Sequence, residues 1–190
     1  MRKTIGVLGL QGAISEHVGA LARAGAAGKR VRRLDELDGL DGLIIPGGES
    51  TAIGKLMQAS GMFERVRELA REGFPIYGTC AGMILLAKKG GALGSGQKLL
   101  GLMDMEVERN AFGRQRESFE ADVDIEGIGK FPCAFIRAPA AVKVWDGCTP
   151  LGRYGKFIVA ARQGNLFATA FHPELVADSR VHEYFIREFC

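Results

Sequence analysis

Residues 74–83 read Phe74-Pro75-Ile76-Tyr77-Gly78-Thr79-Cys80-Ala81-Gly82-Met83. An apolar strand runs into Gly-x-Cys-x-Gly and then into an apolar helical segment, which is the cysteine form of a nucleophile elbow. Such a turn exposes its central side chain above the end of a sheet, and the N–H groups at the start of the following helix favour a thiolate. Cys80 is therefore predicted to be a nucleophile, and a buried cysteine beside a glycine turn is the alternative.

Apolar runs and amphipathic stretches alternate around this segment. Strands are predicted at residues 4–8, 31–34, 43–45 and 74–77, and helices at residues 14–24, 50–59, 62–72 and 81–88. Apolar residues at helical spacing give four inward-facing candidates, which are Leu56, Met57, Val66 and Leu69. The β-α-β order predicts an α/β domain with a mainly parallel central sheet and helices on both faces.

The second half of the chain contains strand-like pieces in succession. They lie at residues 105–108, 119–125, 134–136, 157–161 and 167–171, and we expect them to add antiparallel strands to the same sheet. Residues 89–96 are predicted to form a loop, and residues 181–189 a closing helix. Since the candidate motifs lie on both sides of that loop, we expect one domain over residues 1–190, with a central mixed sheet.

Composition excludes several classes of function. The 190 residues carry a net charge of +3, too small to indicate nucleic-acid binding, and no basic stripe is interleaved with aromatic residues. The N-terminus lacks the apolar core of a signal peptide. The sequence also has no run of 18 apolar residues, the length that would indicate a membrane span. The cysteines lack metal-ligand spacing and are expected to be reduced thiols in a cytoplasmic protein (Cys80, Cys133, Cys148 and Cys190).

A cysteine nucleophile needs a base and a group that orients the base. His172 follows an apolar run and lies in His172-Pro173-Glu174. Residues two apart in extended backbone point the same way, so Glu174 can hold an imidazole that faces Cys80. A solvent-capped histidine at a strand end is the alternative. His17 and His182 lie in predicted helices and are expected to be surface or packing residues.

A glycine pair follows the buried strand at residues 43–45, within the sequence Pro46-Gly47-Gly48-Glu49-Ser50-Thr51. A turn of this kind, leading into a helix, can aim backbone N–H groups at an anion. The anion expected here is the tetrahedral oxyanion that forms when Cys80 attacks an amide. A phosphate-binding turn and an ordinary helix entry remain open.

Together these elements resemble the class I, triad-type glutamine amidotransferases, whose fold is flavodoxin-like. Further segments are similar to one subfamily, the glutaminase subunit of the two-subunit pyridoxal 5′-phosphate synthase. They are Gly6-Val7-Leu8-Gly9-Leu10-Gln11-Gly12-Ala13, Val107-Glu108-Arg109-Asn110-Ala111-Phe112-Gly113-Arg114-Gln115, Ser118-Phe119-Glu120, Phe135-Ile136-Arg137-Ala138-Pro139 and Phe171-His172-Pro173-Glu174-Leu175. The resemblance covers nearly the whole chain.

The resemblance implies a role for each matching residue. Cys80 is expected to be the nucleophile, His172 the general base and then acid, and Glu174 the residue that orients it. Contacts with glutamine are implied for Gly47, Gly48, Glu49, Arg109, Ile136 and Arg137, an oxyanion hole for the backbone of Gly48 and Ala81, and partner sensing for Gln11. Among the arginines, Arg109 is the choice for the α-carboxylate, because a guanidinium binds carboxylates well. A surface salt bridge is the alternative role for both arginines.

The resemblance also implies that L-glutamine is hydrolysed to glutamate through a thioester. The ammonia is expected to pass to a synthase subunit, with no metal or bound cofactor in this chain. The alternatives are the glutaminase subunit of another amidotransferase such as imidazole glycerol phosphate synthase, a stand-alone cysteine amide hydrolase or peptidase-like enzyme, and a silent regulatory module. Ala111 and residues 140–154 depart from the subfamily pattern. The cluster Lys29-Arg30-Val31-Arg32-Arg33 is expected to be a solvated strand edge, and contact with a partner is the alternative.

Overall fold

The computed structural model describes residues 2–91, 96–113 and 117–190. Residues 92–95 of the predicted loop lie outside the described residues, as do Arg114 and Gln115 of the subfamily-like motif. Among the helices of the described ranges, none has the length and apolar character needed to cross a membrane.

The described strands form one twelve-stranded sheet with helices packed on it. The strands are β1 Thr4–Leu8, β2 Ala27–Val31, β3 Gly42–Ile45, β4 Ile76–Thr79, β5 Ala87–Gly91, β6 Met103–Glu108, β7 Ser118–Ile125, β8 Gly129–Ile136, β9 Ala140–Val144, β10 Thr149–Tyr154, β11 Phe157–Gln163 and β12 Leu166–Thr169. The helices are α1 Ile14–Arg23, α2 Ser50–Ala59, α3 Met62–Arg71, α4 Ala81–Leu86 and α5 Arg180–Phe189, with 3₁₀ turns at Leu34–Leu37 and Pro173–Leu175.

The sheet has a parallel part and an antiparallel part. Its main order is β2-β1-β3-β4-β12-β11-β10-β7-β8, and pairing is parallel from β2 to β12 and antiparallel beyond. The connection from β1 to β2 runs towards one edge of the sheet, and the connection from β3 to β4 runs in the opposite direction. A topological switch point therefore lies between β1 and β3. Ligands of open α/β sheets bind outside the carboxyl ends of the strands at such a point.

Helices cover both faces of the sheet. Right-handed crossovers that run in opposite directions from the switch point place their helices on opposite faces. Accordingly, α1 packs against α5, and α2 packs against α3 and α4. The α/β fold with a central mixed sheet, predicted from the sequence, is confirmed.

The second strand differs from its prediction. It was expected at residues 31–34, but β2 is Ala27–Val31, and Leu34 begins a 3₁₀ turn and is 44% exposed. The sequence signal is weak because only Val31 of this edge strand is buried. Gly28 lies beneath α1, where an added Cβ would be 3.0 Å from the Cα of Val18. The basic cluster at residues 29–33 does lie at this exposed edge, as expected.

The region after the elbow also differs. The helix predicted at residues 81–88 ends at Leu86, and residues 87–91, predicted as helix end and loop, form β5. β5 pairs in parallel with β6, a contact between distant segments that the polar sequence Lys88-Lys89-Gly90 does not reveal. Residues 140–154, which had no recognised pattern, contain β9 and β10.

Two other details need correction. The strand predicted at residues 167–171 is β12, which is antiparallel to β11 as expected but parallel to β4 on its other side. Of the four inward-facing candidates, Leu56 is 42% exposed, whereas Met57, Val66 and Leu69 are buried. α2 buries Ile53 and Met57, and Leu56 lies off that stripe.

Candidate active site

Cys80 occupies the sharp turn between β4 and α4. Its backbone has φ 50° and ψ −102°, a left-handed conformation that non-glycine residues rarely adopt and that costs about 1–3 kcal/mol. The flanking glycines are required by close packing, because a Cβ on Gly78 would lie 2.5 Å from the backbone of Gly82, and one on Gly82 would lie 2.2 Å from the Ile45 carbonyl. The thiol is 7% exposed.

His172 reaches Cys80 because β12 runs parallel to β4 in register. Thr169 of β12 pairs with Thr79, and the backbone N–H of Cys80 donates to the Thr169 carbonyl at 2.8 Å. Three residues later the chain turns, and the His172 backbone N–H donates to the Ala134 carbonyl at 2.8 Å. The two segments therefore end side by side at the carboxyl edge of the sheet.

Cys80, His172 and Glu174 lie next to one another in that order. Nδ1 of His172 lies 2.7 Å from Oε1 of Glu174, and the imidazole interacts with the thiol of Cys80. Burial alone would lower the pKa of His172, but the contacts with Cys80 and Glu174 outweigh it and raise this pKa to about 10. A protonated imidazole beside a cysteine is the arrangement that activates cysteine nucleophiles in general.

Glu174 is held as a carboxylate in a buried position. Burial would raise its pKa, but the imidazoles of His17 and His172 keep this pKa below its ordinary value.

The cysteines other than Cys80 have thiol pKa values above the ordinary range. Burial raises the pKa of the Cys133 and Cys190 thiols to about 12 and that of Cys148 to about 11, so these three thiols stay protonated and unreactive.

The glycine pair lies directly against this chain of side chains. A Cβ on Gly47 would be 2.4 Å from Cε1 of His172 and 3.3 Å from the Cβ of Cys80, so only glycine fits there. The Gly47 carbonyl accepts a hydrogen bond from the Ala13 N–H at 3.3 Å. Because a trans peptide points its C=O and N–H in opposite directions, the Gly48 N–H is turned away from Ala13.

A cleft of about 350 Å³ opens above Cys80, a size suited to a small ligand. Its walls contain all but two of the residues predicted from the sequence. The lining residues are Gln11, Gly48, Glu49, Ser50, Cys80, Ala81, Ile84, Arg109, Asn110, Ile136, Arg137, Pro139 and His172. The two predicted residues outside the lining are Glu174, which lies behind His172, and Gly47, which packs against it.

Arg109 and Glu49, both predicted to contact glutamine, pair with each other. Nη2 of Arg109 donates to Oε1 of Glu49 at 2.9 Å. The Glu49 carboxylate also caps α2 by accepting from the backbone N–H groups of Thr51 and Ala52. Arg109 thus makes the salt bridge that was its alternative role, and it also lines the cleft. Its guanidinium carries five N–H donors, more than one carboxylate oxygen uses.

Arg137 also lines the cleft and has a left-handed conformation with φ 42°. Its backbone N–H donates to the Glu117 carbonyl at 2.5 Å, which fixes the turn after β8. Gln11 lies at the end of β1, where its Oε1 accepts from the Glu49 N–H at 3.0 Å. The first βα loop is therefore linked to the glycine-pair loop by Gln11 and by Ala13.

Sequence reasoning missed four lining residues and one buried contact. The lining residues are Ser50, Ile84, Asn110 and Pro139, of which Asn110 has φ 49°, a conformation that asparagine tolerates well. His17 and His182, expected to be surface or packing residues, are both 0% exposed, which agrees with packing and not with a surface position. The contact of His17 with Glu174 was not expected. The spacing of His17 from the buried Ala20 and Leu21 on α1 was the available signal.

Comparison with known proteins identifies the family. The SNO glutamine amidotransferase family matches residues 7–190. The chain belongs to this family. A family relative, pyridoxal 5′-phosphate synthase subunit PdxT of Pelotomaculum thermopropionicum, is 53% identical over 186 residues, which cover 97% of this chain and 94% of the relative. The protein of the same name from Streptomyces avermitilis is 55% identical over 184 residues, which cover 96% and 92% respectively.

A solved structure of a glutamine amidotransferase supports the same family assignment. It superposes with a TM-score of 0.92 at 48% sequence identity and covers 96% of this chain and 97% of that chain. The family resemblance inferred from the motifs is therefore confirmed. Within the residues that the structure describes, no group of three histidine, cysteine or acidic side chains could hold a metal ion.

Proposed function

We propose that this chain hydrolyses the side-chain amide of L-glutamine and supplies the ammonia to a pyridoxal 5′-phosphate synthase subunit. The observation that carries the proposal is the position of the His172 imidazole, which interacts with Cys80 and is hydrogen bonded to Glu174, in the lining of a cleft of amino-acid size. The name of the family supports glutamine as the substrate. The names of the relatives, which cover nearly the whole chain, support a pyridoxal 5′-phosphate synthase as the acceptor.

The reaction begins with attack of the Cys80 thiolate on the amide carbonyl carbon. The resulting oxyanion accepts hydrogen bonds from the backbone N–H groups of Gly48 and Ala81, which we assign as the oxyanion hole. His172 then donates its proton to the leaving nitrogen, so ammonia departs and a glutamyl thioester remains on Cys80. Water, deprotonated by His172, attacks the thioester, and glutamate leaves as the thiolate is restored.

Glutamine is oriented by its charged end. We assign its α-carboxylate to Arg109 and its α-ammonium group to the Glu49 carboxylate, because these two residues already form a complementary pair beside the cleft. Gly47 and Gly48 contact the side-chain amide from the α2 side. We assign further contacts with the substrate to Ile136 and Arg137, which also line the cleft. The cycle uses side chains, backbone and water alone.

The lone chain is proposed to be a poor glutaminase that becomes active when the synthase subunit docks. Free hydrolysis would release ammonia into solution, whereas a gated site releases it only to an acceptor. The proposed gate is the Gly47–Gly48 peptide, whose rotation would present either an N–H or a carbonyl to the oxyanion. Gln11 is assigned to partner sensing, because its hydrogen bond to Glu49 links the first βα loop to this peptide.

A cytoplasmic location is proposed on the state of the thiols. All four cysteines are free, and three of them are buried, as expected in a reducing compartment. Residues 1–190 are proposed to act as one glutaminase domain.

Steady-state ammonia release tests the function. The chain is assayed with saturating glutamine, alone and with the candidate synthase subunit, and the Cys80→Ala variant in the same complex is the control. We expect slow release by the chain alone and much faster release in the complex. Equal rates in both would contradict the gate, and absence of release from the complex would contradict the glutaminase assignment.

A further inference from the structure

The buried side of Glu174 faces a second imidazole. Oε1 of Glu174 is bonded to His172, but Oε2 makes no hydrogen bond of ordinary geometry. Nε2 of His17 lies 3.4 Å from Oε2, and both side chains are 0% exposed. A buried carboxylate oxygen that lacks a hydrogen-bond donor is costly, so an N–H of His17 at this distance can stabilise it.

His17 has further polar neighbours on two packed elements. Its Nε2 lies 3.2 Å from Oγ1 of Thr79, the residue before the nucleophile on β4. Its Nδ1 lies 3.0 Å from Nε2 of His182 on α5. His182 is also fully buried, and its Nδ1 has no hydrogen-bond partner.

These contacts determine which ring nitrogen of His17 and of His182 carries the proton. Burial lowers the pKa of His17, and burial with the neighbouring His17 lowers the pKa of His182 to about 3, so both imidazoles are neutral. A carboxylate accepts only, so Nε2 of His17 must carry the proton that faces Glu174. Nδ1 of His17 is then an acceptor, and His182 donates to it through Nε2–H. The Nδ1 of His182 is left as a bare lone pair, which explains why the structure leaves it without a partner.

We propose that His17 is a positioning residue of the triad, which holds the second carboxylate oxygen of Glu174 through Nε2–H while His182 fixes its tautomer. A chain of four groups then runs from α5 to the nucleophile: His182, His17, Glu174 and His172. This inference rests on the proposed glutaminase function. It adds to the triad a residue that touches neither glutamine nor Cys80.

The effect on catalysis follows from the charge on Glu174. The charged or titratable groups that act on His17 are Glu174, His172 and His182 from the packed elements and Glu16 on its own helix. Loss of the N–H donor raises the pKa of the Glu174 carboxyl and frees it to rotate away from His172. A protonated Glu174 carboxyl cannot hold the His172 imidazolium. As the pH falls, the variant should therefore lose activity at a higher pH than the wild type does.

Two matched variants test the role. In His17→Gln, the side-chain amide N–H can occupy the place of Nε2–H, whereas the shorter amide in His17→Asn cannot reach Glu174. In the complex with the synthase subunit, we expect His17→Asn to lower kcat by about 10–100-fold, as for loss of other groups that orient a functional histidine. We expect KM to change little, the acidic limb of the pH–rate profile to move to higher pH, and His17→Gln to retain most of the activity.

Tyr77→Phe is the control, because it removes a buried hydrogen bond to Thr169 in the same polar core and leaves the triad contacts in place. We expect it to leave kcat and the pH profile unchanged. Equal losses in the Gln and Asn variants, or a loss without a shift of the acidic limb, would overturn the proposal and leave a packing role.

Measurement of the Glu174 carboxyl pKa by carbon NMR separates this proposal from the function on which it rests. The pKa should be higher in His17→Asn than in the wild type even if glutamine is not the substrate. An unchanged Glu174 pKa in a folded variant would overturn the contact itself. If neither His17 variant folds, the same titration of His182→Leu decides the matter, because loss of the tautomer-fixing donor should also raise the Glu174 pKa.

Discussion

Replacement of Gly12 by alanine should disable the oxyanion hole from outside the cleft. Gly12 has φ 115°, and a Cβ added there would lie 2.0 Å from the Gly47 carbonyl oxygen and 3.1 Å from its carbon. These are backbone atoms, so the clash cannot be relieved by a side-chain rotation. The Gly47–Gly48 peptide must shift or turn, and with it the Gly48 N–H that we assign to the oxyanion.

The expected size of the effect follows from the loss of that one donor. Removal of a single oxyanion-hole donor costs about 100–1,000-fold in kcat, or about 2.7–4 kcal/mol in the transition state. We therefore expect Gly12→Ala to lower kcat by about 100-fold or more. KM should change less, because Arg109 and Glu49 hold the charged end of glutamine away from this peptide. The assay is glutamate formation in the complex with saturating synthase subunit.

Gly39→Ala is the matched control. Gly39 also has a positive φ, 74°, but no atom lies within 4 Å of its added Cβ. Both variants place alanine in a left-handed conformation, which costs about 1–2 kcal/mol of stability. Only Gly12→Ala should lose turnover. A folded Gly12→Ala enzyme with the kcat of the wild type would refute the assigned orientation of the Gly47–Gly48 peptide.

Three further predictions concern the triad and the partner loop. Cys80→Ala should abolish hydrolysis and retain the thermal unfolding transition. It should also lower the pKa of His172 from about 10 in an NMR titration, because contact with Cys80 raises that pKa; an unchanged pKa would contradict the contact. Glu174→Gln should leave measurable turnover and His172→Asn almost none, since Glu174 orients the base but transfers no proton, and a harmless Glu174→Gln would remove Glu174 from the triad. Gln11→Ala should reduce the stimulation of ammonia release by the synthase subunit more than the basal rate, and equal reduction of both would argue against partner sensing.

The chemistry-bearing segments were predictable because their signals are local. The elbow around Cys80 combines an apolar strand, two obligatory glycines and a helix within ten residues of sequence, and His172 and Glu174 are two residues apart. Close backbone packing explains the glycines, and the parallel pairing of β4 with β12 explains why the two segments meet. The glycines can be explained from the local sequence, whereas the pairing of β4 with β12 joins distant segments and is known only from the fold.

The errors arose where structure depends on distant partners. Residues 87–91 are polar and contain glycines, yet they form β5 because β6 provides a parallel neighbour. β2 buries only its last residue, so the apolar pattern pointed past its true position. His17 lies on the inward face of α1, but its neighbour Glu174 is more than 150 residues away in sequence, and no local pattern links the two.

The reactivity of Cys80 is the most direct test of the central claim. The protein, in complex with the synthase subunit, is treated with a glutamine-mimicking electrophile and then digested, and the labelled peptide is identified by mass spectrometry. We predict a label on Cys80 that excess glutamine prevents, with Cys133, Cys148 and Cys190 unlabelled because burial raises the pKa of each of those thiols. A label mainly on one of these other cysteines, or a label on Cys80 that glutamine does not prevent, would contradict the account.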